Sequence, residues 1–388
     1  MQQHRQVALF CPACRSAASR PGPGRNALRI NLSDVSFGAR ECGQELAKRF
    51  DAKIVWWFVL IVICTHFCLA YVQNDQPFLN LSEYIQGTCR LPYQYRVLMA
   101  WVLREGLRIP GLAAISARLP QPVRDPRVFI LFVTSWVSLF GSVLFTWRSL
   151  TRLTKNEPYS QWASLLVLYM AYFQFPLVFG LDFFLPYDLP SLLFFCACLY
   201  CVISRRMLWF YLFFVAGTFN RETICMATLF LAIWGWEESK GREDTLELAG
   251  HVLTQAVIWI VIKLYLHHLF AGNLAETASA TFYYKLGYNL RIFIKPWEWP
   301  VLLSVFGFTL PLVLAWRKWM RNAAMENEIY LLAAWFVVMM MVGVVIEIRI
   351  FSELIGYMAL AVGLILYHRF PALQKAKASS PIPRPYAG

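Results

Sequence analysis

The sequence predicts an all-α protein: a polytopic bundle of about ten transmembrane helices, with one further amphipathic helix along the outer interface. Three observations predict it. Of 388 residues, 58% are apolar and 15% charged, against about 45–50% and about 25% in ordinary soluble domains. The apolar residues, rich in Phe, Tyr and Trp, gather in runs of about 20, the length that crosses a bilayer as a helix. Lys and Arg bracket these runs instead of forming one patch, so the net charge of +13 reads as a topology signal and nucleic acid is not an expected partner.

Residues 1–53 carry nine Lys/Arg with Gly and Pro and no sustained periodicity. They read as a basic, partly disordered cytoplasmic tail, with a short helix near 45–50. No secretory signal is visible, so the first apolar run is expected to act as an uncleaved anchor. The transmembrane domain is expected over 54–370, and 371–388 as a second disordered cytoplasmic tail. Cys64, Cys68, Cys196, Cys198, Cys201 and Cys225 lie in apolar runs, where a thiol is a small hydrophobe. Cys89 has Cys68 as its one plausible disulfide mate. Cys11-x-x-Cys14 with His4 and Cys42 is a weak zinc pattern, because no second close pair accompanies it. No metal site is assigned.

Spans are expected near 54–72, 128–147, 161–180, 188–204, 207–219, 222–236, 250–269, 299–316, 327–346 and 352–368. With both termini inside, 23 of the 36 Lys/Arg face inward, 12 outward, and Lys263 lies within a span. Seven of the outward residues come from the long stretch 73–127, where the charge rule is weakest. The stretch 207–236 is interrupted by Asn220-Arg221-Glu222. Reading it as one helix would send the basic C-terminus outward. Two helices are each shorter than the roughly 30 Å hydrocarbon core, so their turn should lie at membrane depth, in protein or water. In 93–110, Arg96, Arg104 and Arg108 recur on one helical face, the mark of an interfacial amphipathic helix.

On the outer side, acids, Arg, His and amides collect in short segments: Asp75, Glu83 and Arg96; Asp182 and Asp188; Asn220, Arg221 and Glu222; His267 and His268; Glu347, Arg349 and Glu353. Charges at membrane depth cost a few kcal/mol on insertion scales and are usually paired or functional. Each group also has a structural reading. Asp188 before Pro190 resembles an N-cap, and Ser352-Glu353 another with an acid in the first turn. Glu347 and Arg349 can pair across a turn. His267 and His268 suit the interface beside Tyr265, and Lys263 can snorkel outward. Arg221 at a helix start, where free N–H groups point, suits a phosphate. The aromatic segment with Phe282, Tyr283, Tyr284 and Tyr288 suits stacking on a sugar or isoprenoid.

An acid after the first span (Gln73-Asn74-Asp75-Gln76), an outer amphipathic helix and outward polar loops together resemble the glycosyltransferase C superfamily over about 54–353. Leu91-Pro-Tyr-Gln-Tyr-Arg96, Asn220-Arg221-Glu222 and Glu347-x-Arg349 carry the likeness to a bacterial relative. The resemblance implies a polyprenyl-phosphate-linked sugar as partner, with membrane lipid, and cell-envelope glycan assembly at a bacterial inner membrane. It implies Asp75 as base, with Asp188 second. Arg96, Asp182, Asn220, Arg221, Glu222, Glu347, Arg349 and Glu353 would hold substrate. The paired acid common in that superfamily is absent here, so a divalent-metal cofactor is left open. The rival reading is a transporter or flippase for a lipid-linked or anionic substrate, because a broken helix pair at membrane depth also builds transport sites.

Overall fold

A computed structural model describes residues 32–74, 76–77, 79–177, 183–274, 282–370 and 372–375. Contacts divide the chain into two units, Met1–Val59 with Lys375–Gly388, and Leu60–Gln374. In the first, the described residues up to Val59 are the start of a helix that runs on into the second, α1 (Leu32–Asn74). Helix therefore begins more than twenty residues ahead of the apolar run, where a short helix near 45–50 was expected. The segment Glu45-Leu-Ala-Lys favours helix and continues into the span without a breaker.

Among its described residues the second unit has one two-residue parallel pairing, β1 (Gln76–Pro77) with β2 (Phe183–Phe184), and its other regular elements are helices. After β1 come α2 (Leu81–Gln86), α3 (Val97–Leu107), α4 (Leu112–Ser116), α5 (Pro126–Thr154), α6 (Glu157–Ala163) and α7 (Leu166–Gln174). Next follow α8 (Asp188–Ile203), α9 (Met207–Asn220), α10 (Met226–Glu238), α11 (Arg242–Leu269) and α12 (Phe282–Phe293). Then come α13 (Trp299–Leu303), α14 (Leu310–Trp316), α15 (Ala323–Asn327), α16 (Ile329–Val342) and α17 (Ile355–Arg369), followed by the four-residue helix Ala372–Lys375.

Among the described residues, five helical stretches are long and apolar enough to cross a membrane: Ala52–Gln73, Pro126–Thr154, Arg242–Leu269, Ala323–Val342 and Ile348–Arg369. The chain reads as an integral membrane protein. Two of the expected spans are interrupted. The stretch 161–180 holds parts of α6 and α7, and 299–316 divides into α13 and α14 around Phe306, Gly307 and Phe308, all at positive φ. Pro311 lacks an N–H and sits in the first turn of α14, so it restarts a helix instead of continuing one.

Burial ranks the helices. The window Ile348–Arg369 is 94% buried, whereas Arg242–Leu269 is 11% buried and exposes Leu253, Val257, Ile260, Val261 and Leu264. One is the centre of the bundle and the other presents an apolar face outward, as lipid contact requires. Small residues bring the central helices together. Along α5, Ser135, Ser138, Ser142, Thr146 and Ser149 are buried, and several return their hydroxyls to carbonyls four residues back, which satisfies them without water. A Cβ on Gly356 of α17 would stand 2.6 Å from Cys196 Sγ of α8. Cys68, the one plausible mate of Cys89, and Cys89 itself are both free and buried, and the Cys89 N–H is held by Gln94 Oε1 at 3.1 Å.

Candidate functional site

Asp188 stands at the first position of α8. The cap residue is Tyr187, without a side-chain cap bond, so the Asp188 carboxylate is not spent on capping. It is fully buried and bridges two guanidinium groups: Oδ1 lies 3.3 Å from Arg221 Nη1 and Oδ2 3.2 Å from Arg349 Nη1. Arg221 follows the last residue of α9 in extended conformation, before a 3-10 turn Glu222–Cys225 that leads into α10. Its Nη1 also meets Glu353 Oε1 at 3.1 Å, and Thr223 Oγ1 donates to that same oxygen at 2.6 Å. Arg349 Nη2 bonds Glu347 Oε2 at 2.7 Å. Ser352-Glu353 is not a cap either: both lie within a 3-10 segment, Ile348–Leu354, ahead of α17.

A second ion pair adjoins the first. Arg96, just before α3, places Nη2 3.0 Å and Nε 3.3 Å from the two oxygens of Glu222. Its guanidinium lies 4.3 Å from the ring centre of Tyr187, so one residue joins the Asp188 pair to the Arg96 pair. The expectation that Arg96 shares an outward face with Arg104 and Arg108 is corrected here. The side chain of Arg96 is 11% exposed and points to the cluster, whereas Arg104 and Arg108 are exposed; α3 buries Val97, Met99, Ala100 and Leu103. Burial alone would lower the Arg96 pKa, but Glu222 and Tyr187 outweigh it and hold the group charged. Burial raises the Tyr84 phenol, which stays a donor to the Arg96 carbonyl.

Asn220 Nδ2 donates to the Tyr187 carbonyl at 2.9 Å and to Ser191 Oγ at 2.8 Å, tying the end of α9 to the start of α8. Eight of the ten candidate residues (Asp188, Arg96, Asn220, Arg221, Glu222, Glu347, Arg349 and Glu353) therefore meet in one network. Asp75 and Asp182 lie outside the described residues, as does His4-Cys11-Cys14. Among the described residues no group of three or more His, Cys, Asp or Glu is placed to hold a metal.

Several positions that hold the network's backbone carry no mark in the sequence. Gln174 Nε2 and Trp335 Nε1 donate to the Ile348 and Ile350 carbonyls, each at 3.1 Å, and so fix the 3-10 turn that aims Arg349. Asn289 Nδ2 bonds the Met340 and Gly343 carbonyls while its Oδ1 accepts from Val345 N–H, which steadies the loop leading to Glu347. Lys263, expected to snorkel outward, lies 4.9 Å from the Tyr95 ring, and Tyr95 Oη is 3.0 Å from His267 Nδ1.

Exposure rises outward from the centre: 1% for the Asp188 and Glu353 side chains, 8% for Arg221, 12% for Arg349, 24% for Glu347 and 29% for Glu222. Several buried polar atoms have no hydrogen-bond partner, namely Glu353 Oε2, Asn220 Oδ1, Arg221 Nε and Tyr187 Oη. An unsatisfied buried polar atom costs about 1–3 kcal/mol, so four in one cluster are a standing reason for it to receive a polar ligand. Comparison with protein families, with curated proteins and with solved structures finds no match.

Proposed function

We propose that the chain is an integral-membrane glycosyltransferase that uses a polyprenyl-phosphate-linked sugar at the outer face of a bacterial inner membrane, in cell-envelope glycan assembly. The observation that carries the reading is the buried network of Asp188, Arg221, Arg349 and Glu353, joined through Tyr187 to Arg96 and Glu222. Around it we propose ten spans, both termini cytoplasmic, and α3 lying along the outer interface.

In this reading the guanidinium groups of Arg96, Arg221 and Arg349 take the charge that grows on the lipid phosphate as it leaves the anomeric carbon. An acceptor hydroxyl attacks that carbon and gives its proton to a carboxylate. Asp188 has both oxygens on guanidinium N–H groups and serves to position them. Glu353 Oε2 is the buried carboxylate oxygen of the network without a donor, which makes it the proton acceptor on geometry. Asp75 holds that role on the sequence argument, with Asp182 beside the donor. Asn220, Glu222 and Glu347 offer groups for sugar hydroxyls, and a divalent metal is not required by any of these steps.

Transfer of labelled sugar from a polyprenyl-phosphate donor, followed in membranes holding wild type, Asp75→Asn and Glu353→Gln, tests the proposal. Loss of turnover with retained donor binding identifies the base. No transfer by wild type, with movement of the lipid-linked sugar between leaflets of proteoliposomes, would establish the transporter reading instead. That second reading draws on the two helix breaks at the network, at Arg221 and across 343–354, since half-helix ends at membrane depth also form transport sites.

A further inference from the structure

Twenty residues beyond Arg349, at the far end of α17, a different group of side chains gathers. At 1.5 Å per residue that separation is roughly 30 Å, one hydrocarbon thickness. Arg369 places its guanidinium carbon 5.3 Å from the Trp316 ring and 4.8 Å from the Trp319 ring. Arg321 lies 5.5 Å from the same Trp319 ring, held by a left-handed backbone with φ 52°. Lys318 is neutralised by Glu326 at 3.1 Å. Among the described residues Arg317, Arg321 and Arg369 have no carboxylate within ion-pair distance.

We infer that this group is a binding site for the headgroup phosphate of an anionic phospholipid. An indole covers one face of a guanidinium, but the five N–H donors lie in the guanidinium plane and stay free for phosphate oxygens. Two guanidinium groups are gathered within 5.5 Å of one Trp ring, and Trp itself favours the headgroup level of a bilayer. Acyl chains have apolar surface beside it: Leu314 is 53% and Phe370 47% exposed. A soluble anion would need none of that surface, so a lipid is the occupant that fits both halves. Because Arg369 and Arg349 are at opposite ends of one span, the inference stands apart from the sugar-transfer reading.

The test uses the full chain in neutral detergent, titrated with phosphatidylglycerol or phosphatidylcholine and read by native mass spectrometry, with inorganic phosphate as competitor. Wild type should prefer phosphatidylglycerol, and Arg321→Gln with Arg369→Gln should weaken that binding about 30-fold, from about 1 kcal/mol per basic residue near an anionic surface. Should the double variant not fold, Arg369→Lys serves, since it keeps charge but not the planar stack and should lose part of the preference. Equal binding of both lipids by wild type overturns the inference. So does an undiminished preference in the variants, or equal competition by inorganic phosphate, which would make this a soluble-anion site.

Discussion

Arg349 and Asp188 are 161 residues apart in sequence, yet Arg349 Nη1 stands 3.2 Å from Asp188 Oδ2, inside a bundle where Asp188 is inaccessible to water. Bringing such charges out of water is costly, and their attraction offsets the cost only with good geometry and further hydrogen bonds. Here the geometry is supplied from outside the pair. Gln174, Trp335 and Asn289 hold the backbone around Arg349, and Asn220 holds the start of α8. The network is therefore built into the meeting of α7, α8, α9, α12, α16 and the 3-10 segment ahead of α17, and rigid placement of that kind is what a binding site for a charged ligand needs.

Removing Asp188 tests that coupling. Asp188→Ala leaves two guanidinium groups short of a counter-charge and should cost about 3–5 kcal/mol. Combining Asp188→Leu with Arg349→Met should be milder than Asp188→Ala alone, because no unpaired charge remains at that contact. Melting temperatures in detergent decide it. Asp188→Leu and Arg349→Met that add strictly, measured singly and together, would show that the two residues do not act together.

The charged positions were legible because an ionisable side chain inside an apolar run stands out: Arg221, Glu222, Arg349 and Glu353 needed no structure to be singled out. Their pairing was not. Nothing in the spacing ties Arg96 to Glu222, 126 residues later, since a partner in a helical bundle is set by which helices neighbour each other. Asp188 looked like a cap, and only the geometry of Tyr187 as cap residue frees its carboxylate. Gln174 and Trp335 were invisible for a different reason: an amide or indole in an apolar run gives no sign of which carbonyl it will meet. The helix interruptions at Arg221 and Pro311 follow from local chemistry, whereas the left-handed turn through Phe306 and Phe308 has no local sequence cause beyond Gly307.

Close approach of α8 and α17 gives an independent prediction. Gly356→Ala puts a methyl 2.6 Å from Cys196 Sγ, and overpacking of this kind typically costs about 1–3 kcal/mol. Adding Cys196→Gly should remove the clash and recover part of the loss. If Gly356→Ala melts like wild type, the two helices are not in the contact described.

The proposed topology is checked by single-Cys labelling. With ten spans and both termini inside, Lys285→Cys should react with a membrane-impermeant maleimide from the outside, and Lys318→Cys only after permeabilisation. Labelling of both from the outside sinks the arrangement. It would also move Arg349 and Glu353 to the face opposite the one proposed, because α17 alone separates them from the Trp316–Arg321 end.

Arg221→Lys separates a ligand-binding network from a purely structural one. The substitution keeps a positive charge, and a Lys ammonium can still reach Asp188 or Glu353, so the folded protein should survive with little change in melting temperature. What it loses is the planar fork that presents several N–H donors in fixed directions. A phosphate contact from a charged donor is worth about 1.5–3 kcal/mol, so transfer from the lipid-linked donor should fall about 10- to 150-fold. Arg221 Nε, which has no partner within the protein, is the donor whose loss the assay reads most directly. Arg221→Ala should behave differently, since it strands Glu353 and should lower both stability and turnover. The structural alternative has the opposite signature: Arg221→Lys active at the wild-type level and Arg221→Ala poorly folded. Expression, melting temperature and sugar transfer measured on the same three proteins distinguish the two, because only a ligand-binding Arg221 uncouples activity from stability.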